Sequence, residues 1–269
     1  MDAVLLVALA TIDVRLTTVE LDNLPRSERW RYRIFCQRQD EKGADLDGWA
    51  KAAHAARPDI DVVFLKGRGV AASRNAAVSS CETELLLFTD DDVRVPADGL
   101  AELIATFEAR PDLDIVAGRT LTPSGALRKR YPPAARRLTP FNSAHIGTVE
   151  LAVRARRVQS AGIGFDTDFG VGTENFVGDE YIFVTDCLKA GLRGECVPVA
   201  LAVHPELRSA LDFWSERSAR ARARVFERVF PVALVPAIKL AFLMRQWRRA
   251  PSIGAALWFA RHFLPRQRR

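Results

Sequence analysis

Cysteine is scarce in this chain of 269 residues: Cys36, Cys81, Cys187 and Cys196 are the only four, and no two form a CxxC pair or a regular framework. This excludes a disulfide-stapled scaffold and gives no thiolate metal site to expect, so the four are expected to be reduced core thiols. Also lacking is an apolar run long enough for a membrane-spanning helix. The longest candidate, "VFPVALVPAIKLAFLM", is interrupted by Pro231, Pro236 and Lys239. No basic stretch precedes the apolar run Ala3 to Ala10, and an aspartate stands at position 2, which predicts a first core strand in place of a signal peptide. There is no internal repeat and no low-complexity segment.

What is present is ordinary globular composition: 48% apolar and 27% charged residues, far from the balance of a disordered chain. The length suits one large domain, or one with an appendage. The net charge of +6 is unevenly placed. From Arg208 to Arg269 there are 14 Lys and Arg against 3 Asp and Glu, while Met1 to Leu207 carries 25 against 30. Such asymmetry speaks about partners and not about catalysis.

The first two-thirds alternates strand-like and helix-like segments. "AVLLVAL", "RYRIFC", "IDVVFL", "ELLLFT", "DIVAG" and "TVELAV" predict strands. In "PADGLAELIATFEARPD", Leu100, Leu103, Ile104 and Phe107 fall at helical spacing, with Asp98 as the expected cap and Pro111 beyond the end. This alternation predicts an α/β fold with a mostly parallel central sheet flanked by helices. The basic, proline-containing "LRKRYPPAARRLT" reads as a mobile surface loop. Beyond Leu207 the pattern turns helical, which predicts an α/β domain over 1–207 and a basic amphipathic extension over 208–269.

Four constellations stand out. "LLLFTDDDVRVP" runs an apolar segment into Asp90, Asp91 and Asp92. If the backbone stays extended, Asp90 and Asp92 share one face and Asp91 points away, toward solvent or backbone. Two carboxylates on one face suit a hard divalent cation, which needs oxygen ligands; the plainer alternative is a solvated turn. In "GTENFVGDEYIF", Glu174, Asp179 and Glu180 lie close together, the last two at the start of a helix that ends near Gly191 or Gly194. Acids there also serve as ordinary complements to the helix dipole. His204 follows an apolar strand, where a lone histidine is more often structural than a ligand. Arg74 and Asn75, in "KGRGVAASRNAAVSS", lie near a helix start and suit phosphate or nucleoside.

In this order, "GVAASRNAAVSSCETELLLFTDDDV", "GFDTDFGVGTENFVGDEYIFVTDCLKAG" and "VPVALAVHP" resemble the family 2 glycosyltransferases, inverting enzymes of the GT-A fold that use nucleotide-sugar donors. The resemblance implies that Asp90 touches the donor ribose and that Asp92 binds Mn²⁺ or Mg²⁺ on the diphosphate. It places His204 near that metal, Arg74, Asn75 and Thr11 at the nucleotide pocket with Asp91 alongside, and Glu180 in the slot of the catalytic base. A nucleotide-sugar donor, a UDP-sugar by expectation, and a glycan or lipid-linked acceptor are the implied partners. The implied setting is the cytoplasm, with the basic tail on an anionic membrane surface or packed on the catalytic domain, and no nucleic acid.

Two departures from the family pattern are visible. Asp179-Glu180 reverses the usual Glu-Asp order, so either carboxylate is open as the base. Gln37 stands where the second strand usually ends in aspartate, which loosens the preference for uridine. The alternatives are a nucleotidyltransferase of similar architecture, for which "ALATIDVRL" lacks the glycine-rich basic loop, and a non-catalytic sugar-nucleotide-binding protein. A phosphatase reading of "FTDDDVRV" fails at Arg94.

Overall fold

The computed structural model describes residues 3–39, 45–204 and 213–265. The apolar runs form strands β1 (Leu5–Ile12), β2 (Trp30–Arg38), β3 (Ile60–Lys66), β4 (Leu85–Asp90) and β5 (Ile115–Leu121). Three more follow, β6 (Arg136–Arg137), β7 (Leu151–Arg154) and β8 (Gly194–Val203). They make a single eight-stranded sheet in the order β3-β2-β1-β4-β7-β5-β8-β6. β1 is parallel to both β2 and β4, whereas β7 runs antiparallel to β4 and β5. The register Leu5↔Leu85 to Ala10↔Asp90 brings the ends of β1 and β4 out at the same edge.

Helices cover both faces: α1 (Leu46–Ala56), α2 (Val70–Ser80), α3 (Ala97–Ala109), α4 (Ala155–Ser160) and α5 (Asp179–Lys189). The period of two along β1 divides the core. Leu5, Val7 and Leu9 pack with Leu100, Leu103 and Phe107 of α3, while Leu6 and Ala8 pack with Ala77, Phe183 and Val184 of α2 and α5. Buried on both faces, β1 and β4 have to be apolar throughout, which is why they read as unbroken runs. All four cysteines are buried free thiols, and burial pushes Cys187 up to about 12.

Two local expectations are corrected. Asp98 lies inside the first turn of α3, and Pro96 takes the cap position. The segment read as a mobile loop is tied down. Arg136–Arg137 pairs with β8, and the rest is gathered by Glu150, which is only 3% exposed. Its carboxylate accepts from Tyr131 (2.5 Å), Thr120 (2.8 Å) and the Gly147 N–H (2.9 Å), and pairs with Lys129 at 2.8 Å. A buried carboxylate with this many donors restrains every segment that supplies one.

The C-terminal part forms α6 (Glu216–Val229), α7 (Val235–Trp247) and α8 (Ile253–Phe263). The expected boundary near Leu207 lies outside the described residues, as does the start of the first expected helix there. α6 packs onto α5: Tyr181 and Ile182 share a cluster with Val225, Val229 and Phe230. Arg228 adds hydrogen bonds to Asp166 (2.8 Å) and Asp186 (2.7 Å).

α3 approaches β8 so closely that a Cβ on Gly99 would meet the Ala200 carbonyl oxygen at 1.9 Å. Backbone cannot yield as a flexible side chain does. Gly99→Ala is expected to cost about 1–3 kcal/mol of stability, read as a lower urea midpoint at an unchanged slope.

Candidate active site

Thr11 is the last but one residue of β1, Asp90 ends β4, His204 follows β8, and α5 begins with Asp179 and Glu180, all at one edge of the sheet. In open α/β sheets this edge, outside the carboxyl ends of the strands, is where ligands sit.

The two acidic clusters meet through Arg74, one turn into α2 and 7% exposed. Its guanidinium is hydrogen-bonded to the buried Asp179 carboxylate and lies 3.7 Å from Asp90. Asp92 is 55% exposed, with His204 Nε2 at 3.5 Å from its carboxylate. The edge therefore gathers Asp90, Asp92, His204, Arg74, Asp179 and Glu180. Burial pushes the Asp90 carboxyl upward, opposed by Arg74 and reinforced by Asp92 and Asp91. Burial likewise pushes half-buried Glu180 up, to about 8, with the neighbouring Asp179 charge adding to the shift and Arg74 opposing it.

Four expected contact residues turn inward instead. The strand stops at Asp90 and the backbone turns, with the Val93 N–H donating to the Asp90 carbonyl (3.3 Å), so the alternation on which Asp91 was placed does not continue. Asp91 is neither solvent-facing nor open to a donor. Its carboxylate is buried, accepts from Thr11 Oγ1 (2.5 Å) and pairs with Arg15. Thr11 is thereby committed to Asp91. Gln37 is 2% exposed and donates Nε2–H to the Gly69 carbonyl at 2.6 Å, so this N–H is not presented to a nucleotide base. Asn75 closes a two-way pair with the Phe165 backbone, donating to its carbonyl (2.9 Å) and accepting from its N–H (2.6 Å). These side chains have short reach, and each finds a backbone or carboxylate partner before it reaches the open edge.

Arg15 was missed in the sequence. It pairs with Asp91 and stands 3.8 Å from Asp92, from a 3-10 turn directly after β1. That turn opens at Asp13, the only non-glycine residue with positive φ (40°) among the described residues, and Asp13 Oδ1 accepts from the Gln39 N–H at 2.7 Å. No local pattern announces Arg15, because its partner Asp91 lies 76 positions away.

Among the described residues no group of three or more His, Cys, Asp or Glu side chains is placed to hold a metal ion. Asp92 and His204 stand together at the open edge, and a cation with so few protein ligands would have to complete its shell with substrate phosphate oxygens and water.

A family model described as "Glycosyl transferase family 2" matches residues 40–158, the stretch that holds Arg74 and Asp90 to Asp92. That stretch is similar to a family 2 glycosyltransferase domain. Solved structures similar to this chain agree on its fold. S. aureus TarS 1–349 in complex with UDP-GlcNAc is 13% identical over 97% of this chain and 79% of that one, with a TM-score of 0.64. The mannosyltransferase PcManGT from Pyrobaculum calidifontis, in complex with GDP-Man and Mn²⁺, is 18% identical over 97% and 79%, with a TM-score of 0.58. Against a longer S. aureus TarS structure, 16% identical with a TM-score of 0.59, 93% of this chain aligns and spans only 44% of that one. A search of curated proteins finds no match. Asp179, Glu180 and His204 fall outside the matched residues, and their place rests on the geometry above.

Burial separates the roles of neighbouring aspartates. Asp91→Ala strips the buried Thr11 hydroxyl of its acceptor and is expected to cost about 1–3 kcal/mol in chemical denaturation. Asp92→Ala, at an exposed position, should leave stability within about 0.5 kcal/mol while abolishing cation-dependent donor binding in titration calorimetry.

Proposed function

We propose that the chain transfers a sugar from a nucleoside-diphosphate donor to a hydroxyl of a glycan or lipid-linked acceptor, with inversion and with the help of a divalent cation. The observation that carries this reading is the pairing of two unlike acidic groups at one edge. Asp92 is open and stands beside His204, while Glu180 is half-buried and raised in pKa, and Arg74 joins their clusters. Support also comes from the bound UDP-GlcNAc and GDP-Man with Mn²⁺ in proteins of similar fold.

Asp92, Asp90 and His204 would hold the cation, which as a Lewis acid supplies stabilisation of the charge developing on the leaving diphosphate. Asp179 is committed to Arg74, so it is not free to take a proton. Glu180 is the base: it accepts the proton of the acceptor hydroxyl as that oxygen attacks the anomeric carbon from the side opposite the leaving group. A carboxylate with its pKa lifted toward neutrality is a stronger base than an ordinary one. Gln37 is turned to Gly69, so its N–H does not choose the nucleotide base, and UDP-sugars are the first donors to try and not the only ones. Polysaccharide assembly in the cytoplasm, at the inner face of a membrane, is the setting that fits a basic and aromatic C-terminal part.

Purified chain incubated with a panel of nucleotide sugars and Mn²⁺ or Mg²⁺ should release free sugar and nucleoside diphosphate from one of them, seen by mass spectrometry. Chelation or Asp92→Ala should stop the release. Failure to bind any donor in the panel would overturn the reading, and binding without turnover would demote the chain to a sugar-nucleotide-binding protein.

Glu180 must be ionised to act, so kcat/KM for transfer is expected to rise with pH through about 8 and level off above it. Glu180→Gln should remove that limb and lower kcat by about a hundredfold to ten-thousandfold. Asp179→Asn, acting through Arg74, should leave the limb present but displaced.

A further inference from the structure

Exposed apolar side chains concentrate on the two last helices. Leu240, Met244 and Trp247 form one stripe of α7, at helical spacing, and Ile253, Leu257 and Trp258 stand outward on α8, each between 40% and 70% exposed. The opposite sides of the same helices are buried, through Val235 and Leu243 on α7 and Ala256, Phe259 and Phe263 on α8. Both helices are thus apolar on two sides, a pattern that belongs to a helix covered on both. The inner side is covered by α6; the outer side is uncovered.

Charge says what covers it. After Glu227 the sequence contains no aspartate or glutamate, while Arg245, Arg248 and Arg249 cluster at the end of α7 and Arg261 stands on α8. All four are exposed. A second copy of the chain would bring this unbalanced positive rim against itself across a two-fold axis. A surface of negative headgroups over hydrocarbon complements both features, and tryptophan favours that boundary. No helix among the described residues is long and apolar enough to cross a membrane, so the arrangement lies on a bilayer and does not span it.

We propose that the outward faces of α7 and α8 are a docking surface for an anionic lipid bilayer. Leu240, Met244, Ile253 and Leu257 sink below the phosphates, Trp247 and Trp258 sit at their level, and Arg245, Arg248 and Arg249 pair with them. This deepens the reading of the chain as an enzyme of membrane-linked glycan assembly, and it rests on that reading only for its biological setting. Lys239, 1% exposed, braces the surface from behind: its Nζ donates to Glu227 (2.6 Å) and to the Pro265 carbonyl (3.1 Å), holding α7 to α6 and to the end of α8.

The test is co-sedimentation of the full chain with vesicles of phosphatidylcholine containing about one-third phosphatidylglycerol, against vesicles of phosphatidylcholine alone. Binding to the anionic vesicles, weakened by salt, is expected. Met244→Glu combined with Leu257→Glu should abolish it. The triple change Arg245→Gln, Arg248→Gln, Arg249→Gln should lower the partition coefficient on the order of a hundredfold. Every changed side chain is exposed, so unchanged thermal melting certifies the fold, and donor hydrolysis in solution should be unaffected. Absence of binding at low salt overturns the proposal. So does equal binding by the Met244→Glu, Leu257→Glu variant, or a dimer seen by light scattering that this variant breaks. Vesicle binding without donor turnover counts against the catalytic reading alone.

Discussion

Two clusters of carboxylates cannot share one edge of a sheet without a cation between them, and in the polypeptide that cation is Arg74. Its guanidinium is almost wholly withdrawn from water and engaged with Asp179 on one side and Asp90 on the other. Taking away one partner of a buried pair costs about 3–5 kcal/mol, because the other charge is left without water or partner. The residues behind Arg74 hold it in place. Gln37 binds the Gly69 carbonyl, Gly69 caps α2 with a positive φ of 97°, and Asn75 ties the next position of that helix to Phe165. Side chains that resemble donor contacts in the sequence are therefore a scaffold for the contact that joins the two acidic clusters.

The parts of the fold that were legible in the sequence are those governed by neighbours in the chain. The strands of the parallel core announce themselves through unbroken apolar runs, and α5 through the spacing of Ile182, Phe183 and Leu188 together with Gly191 at its end. Asp90, Asp92, Arg74, Asp179, Glu180 and His204 were legible as chemistry, by residue type and by resemblance, and the sheet carries them to one edge. What was not legible depends on distant pairing. Thr11 finds Asp91 across 80 positions and Arg74 finds Asp179 across 105, and no window of sequence contains both ends of either pair. Asp91 was misplaced for a simpler reason: the period of two holds only while a strand lasts, and β4 ends one residue earlier.

The C-terminal helices belong to the same physical argument. α6 lies against the helix that carries Glu180: a Cβ on Gly178, the residue before that helix, would meet Val225 at 2.7 Å. The surroundings of the proposed base are set from outside the matched domain. The C-terminal part thus packs on α5 on one side and leaves the outer sides of α7 and α8 exposed.

The reversed strand β7 also divides the molecule. On one side lies a wholly parallel set, β3-β2-β1-β4, which ends in the aspartates; on the other lie β5, β8 and β6. Because β7 runs downward, the chain after it must climb back to the upper edge. It does so through α4 and the segment that places Phe165 flat on Phe183, with ring centroids 4.2 Å apart, and edge-on to Phe88. That aromatic clasp holds the foot of the climb and leaves its upper part, Gly170 to Gly178, to shape the approach to Glu180. β7 is thus a seam: the upper climb belongs to one side of it, and the parallel register of β1 and β4 to the other.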